Sequence, residues 1–593
     1  MILDSRPFFM LIFRWKQDLF HAHLVLDNTD SCKNKIAFVS LYMPLKYIFI
    51  SGGVISGIGK GITTASIALL LKKAGYKVAP IKFENYLNLD AGTINPIEHG
   101  DPFLCVDGTE ADMDIGTYEK FLDEEMGKDN FVTIGQIYKT VIDNERSFKY
   151  TGEDVEAIPH ITNEIIRHIT TLGRKKEADI IVIELGGTAG EYQNILYYEA
   201  SRILALKYPG DVVHIHVSYV PTPKHLGEPK TKPTQLSIRT LNSMGIQPDF
   251  IVARSEQYLD KRRRDRFALF CNVQADNIIS NPDVRCAYEV PLVLEKQETA
   301  EKILKKLNLT VRKPDLEDWR KFITHVYDKK EKTVKIAIVG KYFGTGDYQL
   351  RDSYAALFDA LDHASWKIGV DLDIDWVNAE DVEAKGTSII GNPDGIIVPI
   401  GWGERGVEGM IAAIEFARTK KIPYLGLCYG MQLASIEFAR NVAGLKKANS
   451  EEINPKIPHP IIHSIPFDPK YQRIKGDGTS MRLGAFDCVV KPETLVDKIY
   501  TKHEAYKDKK NHLVSERHRH RFEFNNEYRA PLEKKGLVIS GVSPDNFFVE
   551  MIELPKSEHP FFLGTQGHPE YKSRPLSPHP IFLEFIETCK ARK

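Results

Sequence analysis

The sequence predicts an α/β protein of two doubly wound domains with mainly parallel sheets, on three observations. Short apolar runs rich in Ile and Val recur at residues 47–50, 180–183, 212–217, 250–252, 336–339, 396–398 and 424–427. They do not alternate with polar residues, which is the pattern of strands buried on both faces, and helical patterns separate them. At 593 residues the chain also exceeds what one hydrophobic core holds. Residues 44–309 read as a first domain and residues 333–593 as a second. Residues 310–332, charged and carrying Pro314, read as a helical linker. Residues 1–43 precede the first strong strand signal, and we expect a disordered leader or a start assigned upstream of Met43. The apolar stretch 7–15 within them is too short to span a bilayer and lacks the layout of a signal peptide.

Bulk composition narrows the function classes. A formal net charge of -1 gives no general attraction to nucleic acid or to a membrane. The seven cysteines show neither CxxC nor Cys/His zinc spacing, so free thiols in a reducing compartment, the cytoplasm, are expected.

The first strand signal runs into Gly52-Gly53-Val54-Ile55-Ser56-Gly57-Ile58-Gly59-Lys60-Gly61-Ile62, and a helical pattern follows at 65–74. Strand, glycine loop, lysine and helix make a phosphate cradle, because backbone N–H groups turn inward and the helix N-terminus adds its positive end. The spacing is not that of a standard P-loop: five residues separate Gly53 from Gly59, and Gly61 stands where Ser or Thr is expected. Lys60 is placed to reach a terminal phosphate. Asp114, in a polar stretch read as a loop, and Glu184, at a strand end, are the candidate Mg²⁺ ligands. Lys82, at the end of the second strand, is placed to neutralise a phosphoryl group in transfer.

The second domain carries a nucleophile elbow. Gly426-Leu427-Cys428-Tyr429-Gly430 follows a short strand and opens a helical pattern at 431–440. The flanking glycines allow the tight turn, and the helix N-terminus favours a thiolate. Near the C-terminus, His568-Pro569-Glu570 offers a base and its orienter. The loop Ile400-Gly401-Trp402-Gly403 is a candidate oxyanion hole together with the N–H of Tyr429. The basic run Arg517-His518-Arg519-His520-Arg521 repels a metal ion and reads as a solvated face, with one arginine free to hold a substrate carboxylate.

Several strings together resemble the CTP synthase family over residues 44–593: 51–61, Ile158-Pro159-His160-Ile161-Thr162, Lys230-Thr231-Lys232-Pro233-Thr234-Gln235, Phe270-Cys271-Asn272-Val273, 426–432, Met481-Arg482-Leu483-Gly484, 516–521 and 568–570. The resemblance implies a synthase domain followed by a class I glutaminase domain. In that family ATP phosphorylates O4 of UTP, and ammonia from glutamine travels through an internal tunnel and displaces the phosphate to give CTP. Carried over by position, Cys428, His568 and Glu570 form the triad. Gly401, Tyr429, Gly430, Met431, Gln432, Glu452 and Arg521 hold glutamine. ATP falls to Gly57, Ile58, Gly59, Lys60, Gly61, Ile62, Asp114, Pro282, Asp283 and Val284. The pyrimidine nucleotide falls to Ser56, Glu191, Tyr192, Gln193, Lys230, Thr231, Lys232, Pro233, Thr234, Gln235 and Arg266. Mg²⁺ falls to Asp114 and Glu184, and His99 to the tunnel entrance. The resemblance further implies GTP activation, a homotetramer, filaments in some members, and no nucleic-acid or membrane partner.

The departures from the family pattern cluster around the ribose and base. Glu191 and Gln193 replace Asp and Glu, Glu156 stands for Gln, Arg266 for Lys, and Glu84-Asn85 for Asp-Pro. In the glutaminase, Ile400, Trp402, Tyr429 and Gly567 are the changed positions. They leave open altered discrimination of ribose or base, or relief of inhibition by CTP. A related amidoligase with another nucleotide acceptor and a non-catalytic filament-forming homologue are the alternative readings.

Overall fold

The structure is a computed structural model. It describes residues 45–593 apart from 95–99, 346–347, 350, 467–471, 474–479 and 593. The expected leader 1–43 and the tunnel residue His99 lie outside the described residues.

The first sheet has seven strands, all parallel, in the order Phe131–Thr133, Val78–Glu84, Ile180–Leu185, Lys46–Gly53, Val212–Tyr219, Phe250–Ser255, Ile278–Pro282. The unbroken apolar runs explain its burial. In Lys46–Gly53, Ile48 and Ile50 enter one core while Tyr47 and Phe49 enter the core on the opposite face. Successive side chains of a strand point to opposite faces, so only a run apolar at every position fills both.

The second sheet has ten strands. Its parallel half runs Asp371–Asn378, Thr333–Gly340, Gly395–Val398, Tyr424–Leu427, Phe562–Thr565. Ala337 and Val339 pack on one side and Ile336 and Ile338 on the other. The sheet then continues as an antiparallel wing through Val549–Glu553, Val538–Val542, Ser480–Val490 and Gln472–Arg473, with Leu513–His520 also paired to Ser480–Val490. The doubly wound expectation holds for both sheets, and the wing is an addition to it.

The wing corrects the reading of the basic run. Residues 517–520 lie in the strand Leu513–His520, and Arg517, His518 and His520 are buried, not solvated. Strand alternation sends Arg517 and Arg519 one way and His518 the other. Arg517 meets Glu119 at 2.9 Å, Arg519 meets Glu110 at 2.6 Å, and His518 meets Glu550 at 2.7 Å. The two arginines therefore face carboxylates of the first half of the chain.

Other contacts fasten the halves. Ala485 donates its N–H to the Val106 carbonyl at 2.8 Å. Gly484 has φ 104° and approaches so closely that a Cβ there would sit 2.8 Å from the Gly108 nitrogen. That explains a glycine within Met481-Arg482-Leu483-Gly484. Between the halves runs the helix Glu317–Tyr327, where a helical linker was expected. Its Trp319 is 1 % exposed and donates to the Tyr288 carbonyl at 2.7 Å. Burying a side chain of that size is worth about 3 kcal/mol.

Candidate active site

Two chemical centres form, each at the carboxyl ends of its sheet's strands, where wound α/β sheets place their ligands. In the first, the strand Lys46–Gly53 ends in the glycine loop, and Gly57 and Gly59 take φ of 69° and 86°. The helix starts at Lys60, not at 65. The Lys60 stem lies over Gly52, where a Cβ would come within 2.7 Å of its Cδ. Its ammonium donates to the Gly187 carbonyl at 2.8 Å, linking the loop to the Gly186-Gly187 turn.

Lys82 is the centre of this site. Sheet register places it beside Glu184 on the adjacent strand. Its ammonium lies 3.0 Å from Glu84, 3.5 Å from Asp112 and 3.5 Å from Glu184, and it also pairs with Asp114. Burial alone disfavours the ammonium, but the surrounding carboxylates outweigh it and keep Lys82 firmly charged. Burial pushes Glu184 up to about 7, against the pull of Lys82. Asp114 is not in a loop as expected, while Asp112 is the last residue before a helix. Asp112 caps the helix Met113–Leu122 by accepting from the Asp114 N–H at 2.9 Å, and Asp114 sits in its first turn. Gly61 is the residue that lets the Asp114 carboxylate in, since any Cβ there would overlap it.

Glu184 and Asp114 suit Mg²⁺ in donor chemistry. Both are oxygen ligands, and the buried Oε1 of Glu184 has no hydrogen-bond partner. No preformed cluster of three or more metal-ligating side chains exists among the described residues. A site of one or two carboxylates completed by triphosphate oxygens is the ordinary arrangement for Mg²⁺.

Arg254 was not singled out from the sequence. It donates to the carbonyls of Asn281 and Pro282, both at 2.9 Å, and to Asp283 at 3.0 Å, with its Nε beside Gly59. It thereby joins the phosphate loop to the Pro282-Asp283-Val284 segment. Its position in a strand's last turn toward the ligand edge was the available signal. Tyr118, which donates to Glu184 from mid-helix, left none.

The nucleotide set is less convergent. Ser56, Tyr192 and Gln193 are exposed near the loop, and Arg266 is exposed on the helix Lys261–Cys271. Thr234 and Gln235 are buried and bonded to Ser218 and Thr231, at 2.9 and 3.1 Å. Lys232, at the start of the helix Lys232–Ser243, is exposed, and Lys230 is partly exposed. Lys230 pairs with Glu228. Two of the departures are physically joined. Glu191 accepts from the Thr188 N–H at 2.8 Å and from Asn85 at 3.3 Å, so its carboxylate is held within its own loop. Glu156 is exposed.

In the second centre, Cys428 stands between the strand Tyr424–Leu427 and the helix Tyr429–Asn441, with φ 50° and ψ -96°. A non-glycine residue at positive φ stores strain that the surroundings must hold. They do so by close approach: a Cβ on Gly426 would lie 2.6 Å from the Tyr424 hydroxyl, and one on Gly430 would overlap the Val398 carbonyl. His568 and Glu570 come in from beyond the neighbouring strand, and the His568 Nδ1 lies 2.8 Å from the Glu570 carboxylate. Burial opposes the imidazolium, but Glu570 and Cys428 outweigh it and lift His568 to about 10. The Gln566 amide donates to the Cys428 sulfur at 3.4 Å.

The candidate oxyanion loop is pinned from several sides. Lys341 donates to the carbonyls of Gly403 and Arg405 at 2.8 and 3.1 Å, and the Tyr429 hydroxyl donates to Gly403 at 2.8 Å. Glu452 accepts from the Gly403 N–H at 2.9 Å, and Arg521 acts on its charge. Gln432 reaches the Phe522 carbonyl at 2.9 Å, while the Met431 side chain belongs to the core. Lys341 directly follows the strand Thr333–Gly340 and, like Arg254, was not singled out from the sequence.

Comparison with known proteins covers both centres. Residues 46–309 match the model for the CTP synthase N-terminus, and residues 349–588 match that for class I glutamine amidotransferases. A CTP synthase of Caldanaerobacter subterraneus subsp. tengcongensis is 48% identical over 91% of this chain and 98% of its own. One of Pyrococcus furiosus is 47% identical over 92% and 98%. One of Sulfurisphaera tokodaii is 48% identical over 92% and 99%. The chain belongs to the CTP synthase family.

Proposed function

We propose that this chain converts UTP to CTP, using ATP to activate the pyrimidine carbonyl and glutamine as the nitrogen source. The observation that carries the reading is the presence, in one chain, of a phosphate loop with a buried lysine–carboxylate cluster and of a cysteine–histidine–glutamate amidase centre. Neither centre alone requires the other; an ATP-dependent amination fed by glutamine requires both.

In the amidase centre, the Cys428 thiolate attacks the glutamine amide carbon. The N–H groups of Tyr429 and of the Gly401 loop receive the oxyanion. His568 gives its proton to the departing ammonia, which leaves a glutamyl thioester on Cys428; water, deprotonated by His568, then hydrolyses it to glutamate and frees the thiol, while Glu570 holds the ring by Nδ1. Arg521 and Glu452 lie across the same pocket, suited to the carboxylate and the ammonium of glutamine. In the other centre, Lys60 and Lys82 neutralise the phosphoryl group as it passes from ATP to O4 of UTP. Ammonia then displaces phosphate at C4. Asp114 and Glu184 would hold Mg²⁺, which when bound neutralises triphosphate charge.

Several finer assignments belong to the same reading. Trp402 offers a ring for a guanine base of GTP as activator. A homotetramer fits the exposed apolar side chains Tyr192, Ile195, Ile158 and Leu236 beside the nucleotide set, with Tyr192 95% exposed. No helix among the described residues is long and apolar enough to cross a membrane, and we assign the protein to the cytoplasm.

The test is Lys82→Met, assayed by CTP absorbance with ATP, Mg²⁺, UTP and either nitrogen source. Loss of CTP formation by at least about 10³-fold from both glutamine and ammonium is expected, with glutamine hydrolysis retained. CTP formation at the wild-type rate would refute the role of this centre.

A further inference from the structure

Arg519 belongs to the basic run, and its surroundings connect the two centres. Its carbonyl oxygen lies 4.0 Å from the Cys428 sulfur. Its side chain turns the other way across the junction, donates to Glu110 at 2.6 Å and lies 3.4 Å from Asp101. These side chains are 11%, 7% and 7% exposed. Asp101 in turn accepts from the Tyr571 hydroxyl at 2.8 Å, and the Tyr571 ring lies 5.4 Å from the ring of His568. Glu110 begins the second strand of a two-strand hairpin, Phe103–Leu104 with Glu110–Ala111, and Asp112 follows directly after Ala111. Asp112 and Asp114 are the carboxylates that flank Lys82. The Glu110 carboxylate also lies directly on Gly92, in the segment that follows the Lys82 strand.

We propose that Arg519 is a positioning residue that ties glutamine hydrolysis to amination, by holding Asp101 and the Glu110 hairpin against the backbone that faces Cys428. The inference rests on the function proposed above. Ammonia set free before the acceptor is phosphorylated is lost to solvent, so a shared anchor between the two centres serves the stoichiometry of the reaction. A guanidinium suits the task because it reaches two carboxylates at once with fixed geometry and keeps its charge. Burial disfavours the cation at Arg519, but Glu110 and Asp101 outweigh that and raise its affinity for the proton.

The experiment measures glutamate formed per CTP formed, for the full-length enzyme and for Glu110→Gln, Arg519→Ala and Arg519→Lys. CTP formation from saturating ammonium is measured in parallel. The wild type is expected to release one glutamate per CTP. In Glu110→Gln and Arg519→Ala the ratio rises about threefold or more, and ammonium-dependent synthesis stays within about twofold of wild type. Arg519→Lys, which keeps the charge, recovers part of the coupling. An unchanged ratio in Glu110→Gln and Arg519→Ala overturns the proposal, whether or not both rates fall together as they would for a merely structural fastening. Should Arg519→Ala not fold, Glu110→Gln alone decides, since it retains the shape of the side chain. If the wild type makes no CTP even from ammonium, the proposed function fails and not this coupling.

Discussion

In the proposed reaction, His568 acts through its protonation. Burial would neutralise the ring, yet Glu570 at 2.8 Å and Cys428 keep it an imidazolium up to about 10. The proton proposed to pass to ammonia is therefore present below that pH and lost as pH rises through it. Glu570→Gln removes the larger of the two raising partners. The alkaline limb of kcat/KM for glutamine hydrolysis is expected to move to lower pH in this variant, measured by glutamate release across pH 6 to 11. A limb at the same pH in both proteins would show that another group controls it. Residue types in motif spacing were legible here: the elbow places Cys428 between strand and helix, and the His568 Nδ1 lies 2.8 Å from Glu570. The partners of Lys82 were legible only in part. Glu84 and Asp112 are ordinary acidic residues in sequence, and only sheet register and a helix cap aim them at the ammonium.

At the scale of elements, glycines decide where backbone and carboxylate come close. Gly61 opens the helix Lys60–Lys73 with the Asp114 carboxylate against its Cα. Gly61→Ala pushes that carboxylate away from Lys82 without disturbing the distant elbow. We expect CTP formation from both nitrogen sources to fall by at least about 10²-fold while glutamine hydrolysis persists, because misplacement by about 1 Å costs that much. Equal loss of both activities would instead point to unfolding, which thermal denaturation would reveal. The parallel strands and the two helices after the glycine turns were readable from unbroken Ile/Val runs and glycine spacing. The antiparallel wing was not. Its strand Ser480–Val490 carries Arg482, Gly484 and Asp487 among its apolar residues, and neither a continuous apolar run nor a clean alternation marks it.

At the scale of the molecule, the basic run is the clearest case of a feature the sequence conceals. Arg517 and Arg519 look like a solvated face because their partners stand 398 and 409 residues away along the chain. Glu119 is the fully buried hub of this junction, paired with both Arg517 and Arg574. Such pairs are weak evidence for stability but strong evidence for a fixed fit, since removing one partner strands the others in a dry interior. The junction thus holds two halves with different reactions in one arrangement, and the account as a whole states that the halves divide the chemistry between them.

Cys428→Ala tests that division most directly. CTP formation from UTP and ATP is followed with glutamine and, separately, with ammonium, for the wild type and the variant. The account predicts that the variant loses CTP formation from glutamine entirely and keeps the wild-type rate from ammonium. Loss of both activities, or glutamine-dependent CTP formation without the thiol, would contradict it.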